Sequence, residues 1–279
     1  MNIHQAPAFL RLYHLLPHRL LNLAVARLLT AQRPAFAVQA AIRYWIEHAQ
    51  IDMSDFADVP YRTVEDFFLR ELKTGTRPLG AGVVSPVDGE LFAAGIITES
   101  ATLRVKGQQL SLSRLLNGRH HRASLSEFFG GRYLAIFLRP RGYHYIHLPL
   151  PARLVRCQWI PGRFFPQNEV ALSHIPRVYE RNERAALFWQ TEPEQGSLPF
   201  AMVLVGASLV GGIHLAGIPQ PQWQTPEATN WQRHYAKGER LGHFSFGSTV
   251  VLLLPKSLSA PCLVPVGQMV QQGQPLIPL

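Results

Sequence analysis

Apolar positions recur at helical spacing through the first fifty residues. Phe9, Leu12, Leu15 and Leu16 share one face, and so do Leu20, Leu21, Val25, Leu28 and Leu29, as 3.6 residues per turn requires. Pro17 and Pro34 remove backbone donors and lock φ, so they divide 8–50 into short helices. Over 51–79 the pattern predicts a helical connector. Thr63 is its N-cap, and Val64-Glu65-Asp66 form the first turn ahead of Phe67-Phe68-Leu69. From about residue 82 the period changes. Short runs of Val, Leu, Ile and Phe alternate with Gly and Pro, as at 133–138, 201–205 and 249–254, which predicts short strands and tight turns. The expected fold class is α+β: N-terminal amphipathic helices over 1–60, then a β-rich domain over 61–279.

Two stretches refine this. Residues 195–226 carry no Asp, Glu, Lys or Arg, and 200–218 are strongly apolar. Gly206, Gly211, Gly212, Gly217 and the abundant Val suit two buried strands joined by a tight turn better than a helix in lipid. A secretory signal is not expected either, because His14, Pro17, His18 and Arg19 break the first apolar run. A weak internal echo links Ser85-Pro86-Val87-Asp88-Gly89-Glu90-Leu91 with the segment from Val266 to Leu276. Both resemble turn segments of biotinyl/lipoyl-type barrels, which gives the expected β domain a barrel-sandwich character. Neither offers the Lys that a carrier domain would have modified.

Charge sharpens the picture of the N-terminus. The 279 residues carry a net +9, from 27 Lys+Arg against 18 Asp+Glu. Arg11, Arg19, Arg27, Arg33 and Arg43 all precede the first acid, Glu47. Basic amphipathic helices with Tyr44 and Trp45 suit an anionic membrane interface, and equally a helical subdomain packed on protein. Nucleic acid is not an expected partner, since the basic residues form neither a recognition helix nor an aromatic RNA-binding motif. Cys157 and Cys262 form no CxxC and no disulfide framework, so they are expected as free thiols. With 47% hydrophobic and 16% charged residues, a sizeable core is expected.

Three constellations carry candidate chemistry. Asp88 stands before Gly89, a pairing that taken alone reads as a turn. His144 and His147 follow the apolar run 134–138. At a spacing of three they face opposite sides of a regular strand. They lack a nearby third metal ligand, so general acid–base work fits them better than metal binding. Gly247-Ser248-Thr249 stands at the head of an apolar strand. A Ser hydroxyl there can attack the carbonyl of its own preceding peptide, and Gly247 removes side-chain crowding. A Gly-x-Ser-x-Gly elbow is absent.

Together these residues resemble the bacterial phosphatidylserine decarboxylase proenzymes. The match is carried by Pro86-Val87-Asp88-Gly89, Tyr143-His144-Tyr145-Ile146-His147-Leu148-Pro149 and Phe246-Gly247-Ser248-Thr249. Tyr61-Arg62-Thr63 with Phe67-Phe68, Lys106-Gly107, Arg181-Asn182-Glu183-Arg184 and Leu204-Val205-Gly206-Ala207 support it in the family's order. Phe246 stands where Leu is commonest, Val87 where Ala is frequent, and Gly142 where Asp often precedes the Tyr-His pair.

The resemblance implies self-cleavage between Gly247 and Ser248, giving a large chain 1–247 and a small chain 248–279. Ser248 is implied as nucleophile, His147 as its base and Asp88 as the group that orients and stabilises the imidazolium. The implied cofactor is a covalent pyruvoyl group made from Ser248. Its ketone forms a Schiff base with the amine of phosphatidylserine and accepts the electrons released with CO₂. His144 is implied in proton transfer. The expected partners are phosphatidylserine, an anionic membrane surface, the two chains of one proenzyme and a second copy in a homodimer. The expected location is peripheral, on the cytoplasmic side of the cell membrane. Two other readings use the same residue types: a pyruvoyl decarboxylase of a soluble amino acid, and a serine hydrolase acting on lipids.

Overall fold

The computed structural model describes residues 18–105, 107–117, 125–192, 196–208, 212–219, 227–245 and 248–279. The expected helical positions from Phe9 to Leu16, and Arg11, lie outside them. Helices α1 (His18–Leu29) and α2 (Ala35–His48) are separated just before Pro34. Helix α3 (Val64–Phe68) starts where its cap predicts. Thr63 Oγ1 accepts the Asp66 N–H at 2.9 Å, and Asp66 Oδ2 accepts the Thr63 N–H at 3.2 Å. The expected helical connector needs correction, because α3 is the one helix in 51–79. The rest is turns tied by tertiary bonds, such as Lys73 Nζ to the Ser54 carbonyl. Pro60, Gly75 and Pro78 interrupt any longer helix there.

Fifteen strands follow among the described residues. They begin with β1 (Val83–Val84), β2 (Gly89–Ile96), β3 (Thr102–Val105) and β4 (Gln108–Ser111), then the short α4 (Leu112–Leu115). Next come β5 (Arg132–Leu138), β6 (Tyr145–His147) and β7 (Ala152–Ile160), followed by α5 (Glu169–His174) and α6 (Val178–Arg181). The remaining strands are β8 (Arg184–Thr191), β9 (Pro199–Gly206), β10 (Ile213–Leu215), β11 (Glu227–Tyr235), β12 (Arg240–Phe244), β13 (Ser248–Leu254), β14 (Met269–Val270) and β15 (Pro275–Ile277). An eight-stranded antiparallel sheet, ordered β11-β7-β8-β9-β13-β5-β2-β14, forms the body. A three-stranded sheet, β10-β12-β6, is separate from it.

Both faces of the large sheet are covered, so its central strands are buried along nearly their whole length and mostly apolar instead of alternating. In β13, Val250, Leu252 and Leu254 enter one core with Ile146, Leu148, Ile213, Leu241 and Phe244 from the small sheet and its flanks. Val251 and Leu253 enter a second core with Leu112, Leu115, Ala171, Leu172, Val178 and Tyr179 from α4 to α6. The protein is α+β, with a sheet-dominated body, a second sheet on one face and short helices on the other.

The two strands expected in the uncharged stretch exist, but their pairing is a correction. β9 joins the large sheet and β10 the small one. β9 already has β8 and β13 on its two edges, so β10 finds β12 instead. No described helix is long and apolar enough to cross a membrane. The two echo segments meet each other: Gly89 pairs with Val270 and Glu90 with Met269, while Val83 pairs with Ile277. Leu252 is fully buried at the middle of β13. Leu252→Ala is expected to lower unfolding stability by about 2–5 kcal/mol, read as a reduced urea midpoint.

Candidate active site

Strand register brings the candidate residues to one end of the large sheet. Ser248, the first residue of β13, pairs with Leu138 at the end of β5 and with Gly206 at the end of β9. Asp88 immediately precedes β2, whose Glu90 pairs with Phe137. Side chains alternate along a strand, so Ser248 points with Val250 and Leu252 toward the face covered by β6, β10 and β12. His144 and His147 belong to that covering layer, on and just before β6. Phe246 and Gly247 lie outside the described residues. Gly89 needs its missing side chain for close packing, since a Cβ there would meet the Phe137 carbonyl oxygen at 2.6 Å. The Asp-Gly pair thus opens a strand instead of making a free turn.

Asp88 is nearly buried and fully bonded. Arg77 donates to it through Nε at 3.2 Å to each oxygen and through a terminal nitrogen at 2.7 Å, and the Gln272 backbone N–H donates at 2.7 Å. Arg77 also pairs with Asp55 at 2.7 Å. Two carboxylates therefore neutralise one buried guanidinium, and their attraction raises its pKa against the burial that opposes it.

His147 is held at both ring nitrogens. Its Nδ1 lies 2.8 Å from the Gly238 carbonyl, an obligate acceptor, so Nδ1 carries the proton. Nε2 then bears the lone pair and accepts from Tyr143 Oη at 2.9 Å. The hydrogen bond that orients the ring comes from Gly238, while Asp88 acts on it through space. Burial holds the His147 pKa below its ordinary 6.5, with Arg240 acting in the same direction and Gly238, Asp88 and Glu71 opposing. A neutral imidazole with its lone pair on Nε2 is the form a general base requires, and here that lone pair is engaged by the Tyr143 hydroxyl. Burial also pushes Tyr143 up to about 12, so it remains a hydrogen-bond donor.

Ser248 and His144 are fully buried, and among the described residues the Ser248 hydroxyl and both His144 ring nitrogens lack a partner in good hydrogen-bond geometry, although the Gly142 and Arg139 backbone lies against the His144 ring. Buried polar atoms without partners are uncommon in folded proteins. Among the described residues such side-chain atoms belong to Arg70, Asn117, His144, Trp189, Ser245 and Ser248. Four of these six lie in the site or in the segments that frame it. Phe68 covers His144, with ring centroids 3.7 Å apart and the planes tilted by 34°. Burial drives the His144 pKa well below 6.5, and the Arg70 charge adds to the effect. On the opposite face of β13, Thr249 donates to Gln167 at 2.6 Å, and Gln167 donates to the Gly206 carbonyl at 2.9 Å. This satisfied network anchors the strand start from behind.

The structure gathers Asp88, His144, His147 and Ser248 at one sheet end, within the layers expected to carry chemistry. Sequence reading missed Arg77, Gly238 and the part played by Tyr143. Arg77 and Gly238 lie 11 and 91 residues from their partners, with no motif to link them. Tyr143 stood inside a quoted motif, and its spacing of four from His147 was the available signal. Cys157 is buried, its thiol pushed up to about 12 by burial, and both cysteines are free. Phe164 and Phe165 are buried core residues. Among the described residues no three His, Cys, Asp or Glu side chains are grouped to hold a metal ion.

The model of the family described as phosphatidylserine decarboxylase matches residues 64–278. A Chromobacterium violaceum protein named phosphatidylserine decarboxylase proenzyme is 37% identical over 259 residues, covering 88% of this chain and 90% of its own. Proteins of the same name from Brevibacillus brevis and Azotobacter vinelandii are 36% and 35% identical, covering 86% and 88% of their own lengths.

His144, His147 and His243 all have pKa values held below 6.5, His243 at about 4. The unfolded chain therefore binds more protons than the folded one below pH 6.5. Unfolding stability is expected to be fully present above pH 6.5 and to be lost progressively as pH falls toward the folded values. Urea titrations at stepped pH check this sign.

Proposed function

The chain belongs to the phosphatidylserine decarboxylase family, and on that premise we propose how its residues divide the work. It is a carboxy-lyase made as a proenzyme, converting phosphatidylserine to phosphatidylethanolamine and CO₂. In the proposed maturation, His147 Nε2 takes the Ser248 hydroxyl proton and Oγ attacks the Gly247 carbonyl. The acyl group moves from nitrogen to oxygen, and elimination then separates 1–247 from 248–279. Rotation of the Tyr143 hydroxyl about its C–O bond frees the Nε2 lone pair for this step. Asp88 stabilises the imidazolium by charge, and Arg77 holds Asp88 in place.

The observation that carries this reading is the buried Ser248 hydroxyl without a partner, at the head of a strand anchored on both edges. A pyruvoyl group fits the position: the hydroxymethyl becomes a methyl as its oxygen leaves with the Gly247 carboxylate, water replaces the Cα nitrogen by one ketone oxygen with loss of ammonia, and no donor is left unsatisfied. Such a group supplies an electron sink for the pair released with CO₂. Around it, His144 is assigned to move the proton at the substrate carbon, and the Phe68 ring excludes water from that atom.

The N-terminal region, 1–60, is assigned to the membrane, and 61–279 to catalysis. Leu20, Leu23, Leu28, Phe36 and Tyr44 are between 58% and 76% exposed, unusual for such side chains on one small subdomain. Leu28, Leu29, Pro34, Val38 and Trp45 line an apolar groove of about 700 Å³ between α1 and α2, suited to lipid acyl chains. Arg27, Arg33 and Arg43 are exposed beside it, placed for anionic headgroups on the cytoplasmic leaflet. The pairing of β1 with β15 and β2 with β14 supports a barrel-sandwich character for the region around Asp88.

An intact denaturing mass spectrum is expected to give two chains divided at Gly247/Ser248, and Ser248→Ala a single full-length chain. An uncleaved wild-type chain after long incubation with lipid would overturn the assignment. Replacing Arg27, Arg33 and Arg43 together with Gln is expected to weaken binding to phosphatidylserine-containing vesicles by about 3 kcal/mol, at about 1 kcal/mol per cation. Vesicle sedimentation measures it.

A further inference from the structure

The segment 67–71 crosses behind the histidine loop and touches it repeatedly. Phe68 stacks on His144. The Leu69 carbonyl accepts from Tyr145 Oη at 3.1 Å. Glu71 forms a two-pronged bond with Arg240, at 2.8 and 2.5 Å, and the Arg240 guanidinium lies 4.0 Å over the Tyr145 ring. Arg70 is the unusual member. It is 1% exposed, and among the described residues none of its bonding partners is a carboxylate. Its terminal nitrogens donate to three carbonyls: Phe67 at 3.1 Å, Gly142 at 2.8 Å, and Arg141. The guanidinium is sandwiched by Phe56 and Phe67 at 4.4 and 4.9 Å, and its Nε has no partner.

A buried cation without a counter-ion is costly. An apolar side chain of similar volume would fill the space between Phe56 and Phe67 more cheaply. What it would not do is bond the carbonyls of Arg141 and Gly142, the two residues that lead into Tyr143 and His144. That backbone has no strand partner of its own, and Gly142 has nothing but the Arg139 oxygen near its open side. We propose that Arg70 is a positioning residue for decarboxylation: its guanidinium clamps the 141–142 carbonyls and so fixes the His144 ring against Phe68. The proposal rests on the assignment of proton transfer to His144.

The charged group facing His144 is Arg70, from the segment behind it. From its own loop His144 meets the Gly142 and Arg139 backbone, from α3 the Phe68 ring, and from β12 the Phe244 N–H, which bonds the His144 carbonyl at 3.1 Å. Removing the Arg70 charge thus removes a force that opposes His144 protonation. The His147 ring is oriented by Gly238 and by its place in β6, and the Tyr143 hydroxyl that follows the clamp turns away before Nε2 acts, so self-cleavage does not share this dependence.

The test uses full-length Arg70→Met, Arg70→Lys and His144→Asn proteins in mixed micelles of phosphatidylserine and detergent. Chain separation is followed by mass spectrometry, and kcat and KM by CO₂ release from pH 5 to 9. Arg70→Met is expected to self-cleave within about threefold of wild type, to lose about tenfold or more in kcat with little change in KM, and to lose activity on acidification about one pH unit earlier. Arg70→Lys keeps the charge but not the fork. It is expected to lose kcat while its acid limb stays in place. If Arg70→Met does not fold, the Arg70→Lys separation of kcat from pH profile decides alone. Wild-type kcat and profile in the folded Arg70 variants would overturn the clamp. Wild-type decarboxylation by His144→Asn would overturn the proton-transfer assignment instead, a result the Arg70 variants cannot produce.

Discussion

Strand β13 is buried on both faces and paired on both edges, and the site hangs from its first residue. Seven consecutive positions, Ser248 to Leu254, are buried. The alternation of side chains sends one set into the core beneath the small sheet and the other into the core beneath the short helices. A slip of one residue would exchange these sets. It would also turn Ser248 toward the helical face and Thr249 toward the histidines. The apolar residues of the strand interior therefore decide where the hydroxyl points.

The electrostatic arrangement around that hydroxyl is a separation of charged and neutral groups. Charge around it sits on the Asp55–Arg77–Asp88 chain, on the Glu71–Arg240 pair and on the buried Arg70 guanidinium. His144 and His147 are kept neutral by burial between those pairs. A base that starts neutral and a carboxylate nearby to balance the imidazolium are the two conditions that proton removal from a serine requires. Asp88 does not need to touch the imidazole to meet the second condition, since charge acts over several ångströms in a site closed to water.

The α2–α3 region joins the helices proposed to face lipid to this centre. Val38 and Ile42 of α2 share a small core with Phe67 of α3, and the next four residues reach the histidine loop. A single short segment thus packs on the helices assigned to the bilayer at one end and on the reacting layer at the other. Its backbone and side-chain bonds, from Phe67 to Glu71, leave little freedom between the two.

Much of this was legible in the chain itself. Helical periodicity and prolines located α1 and α2, the Thr63 cap located α3, and apolar runs located β5, β9 and β13. Asp88, His144, His147 and Ser248 stood out because their motifs are local. Partners outside those motifs were not legible. β9 and β10 read as a hairpin because both are apolar, and edge availability in the large sheet separated them. Arg70, Arg77 and Gly238 serve the site across gaps that hydrophobic pattern cannot bridge, because bonds to a backbone carbonyl or a distant carboxylate leave no periodic trace. Sequence determined the local elements and the reactive side chains through short-range sterics and burial. Tertiary structure alone decided which groups share a hydrogen bond, because that depends on which strand ends lie side by side.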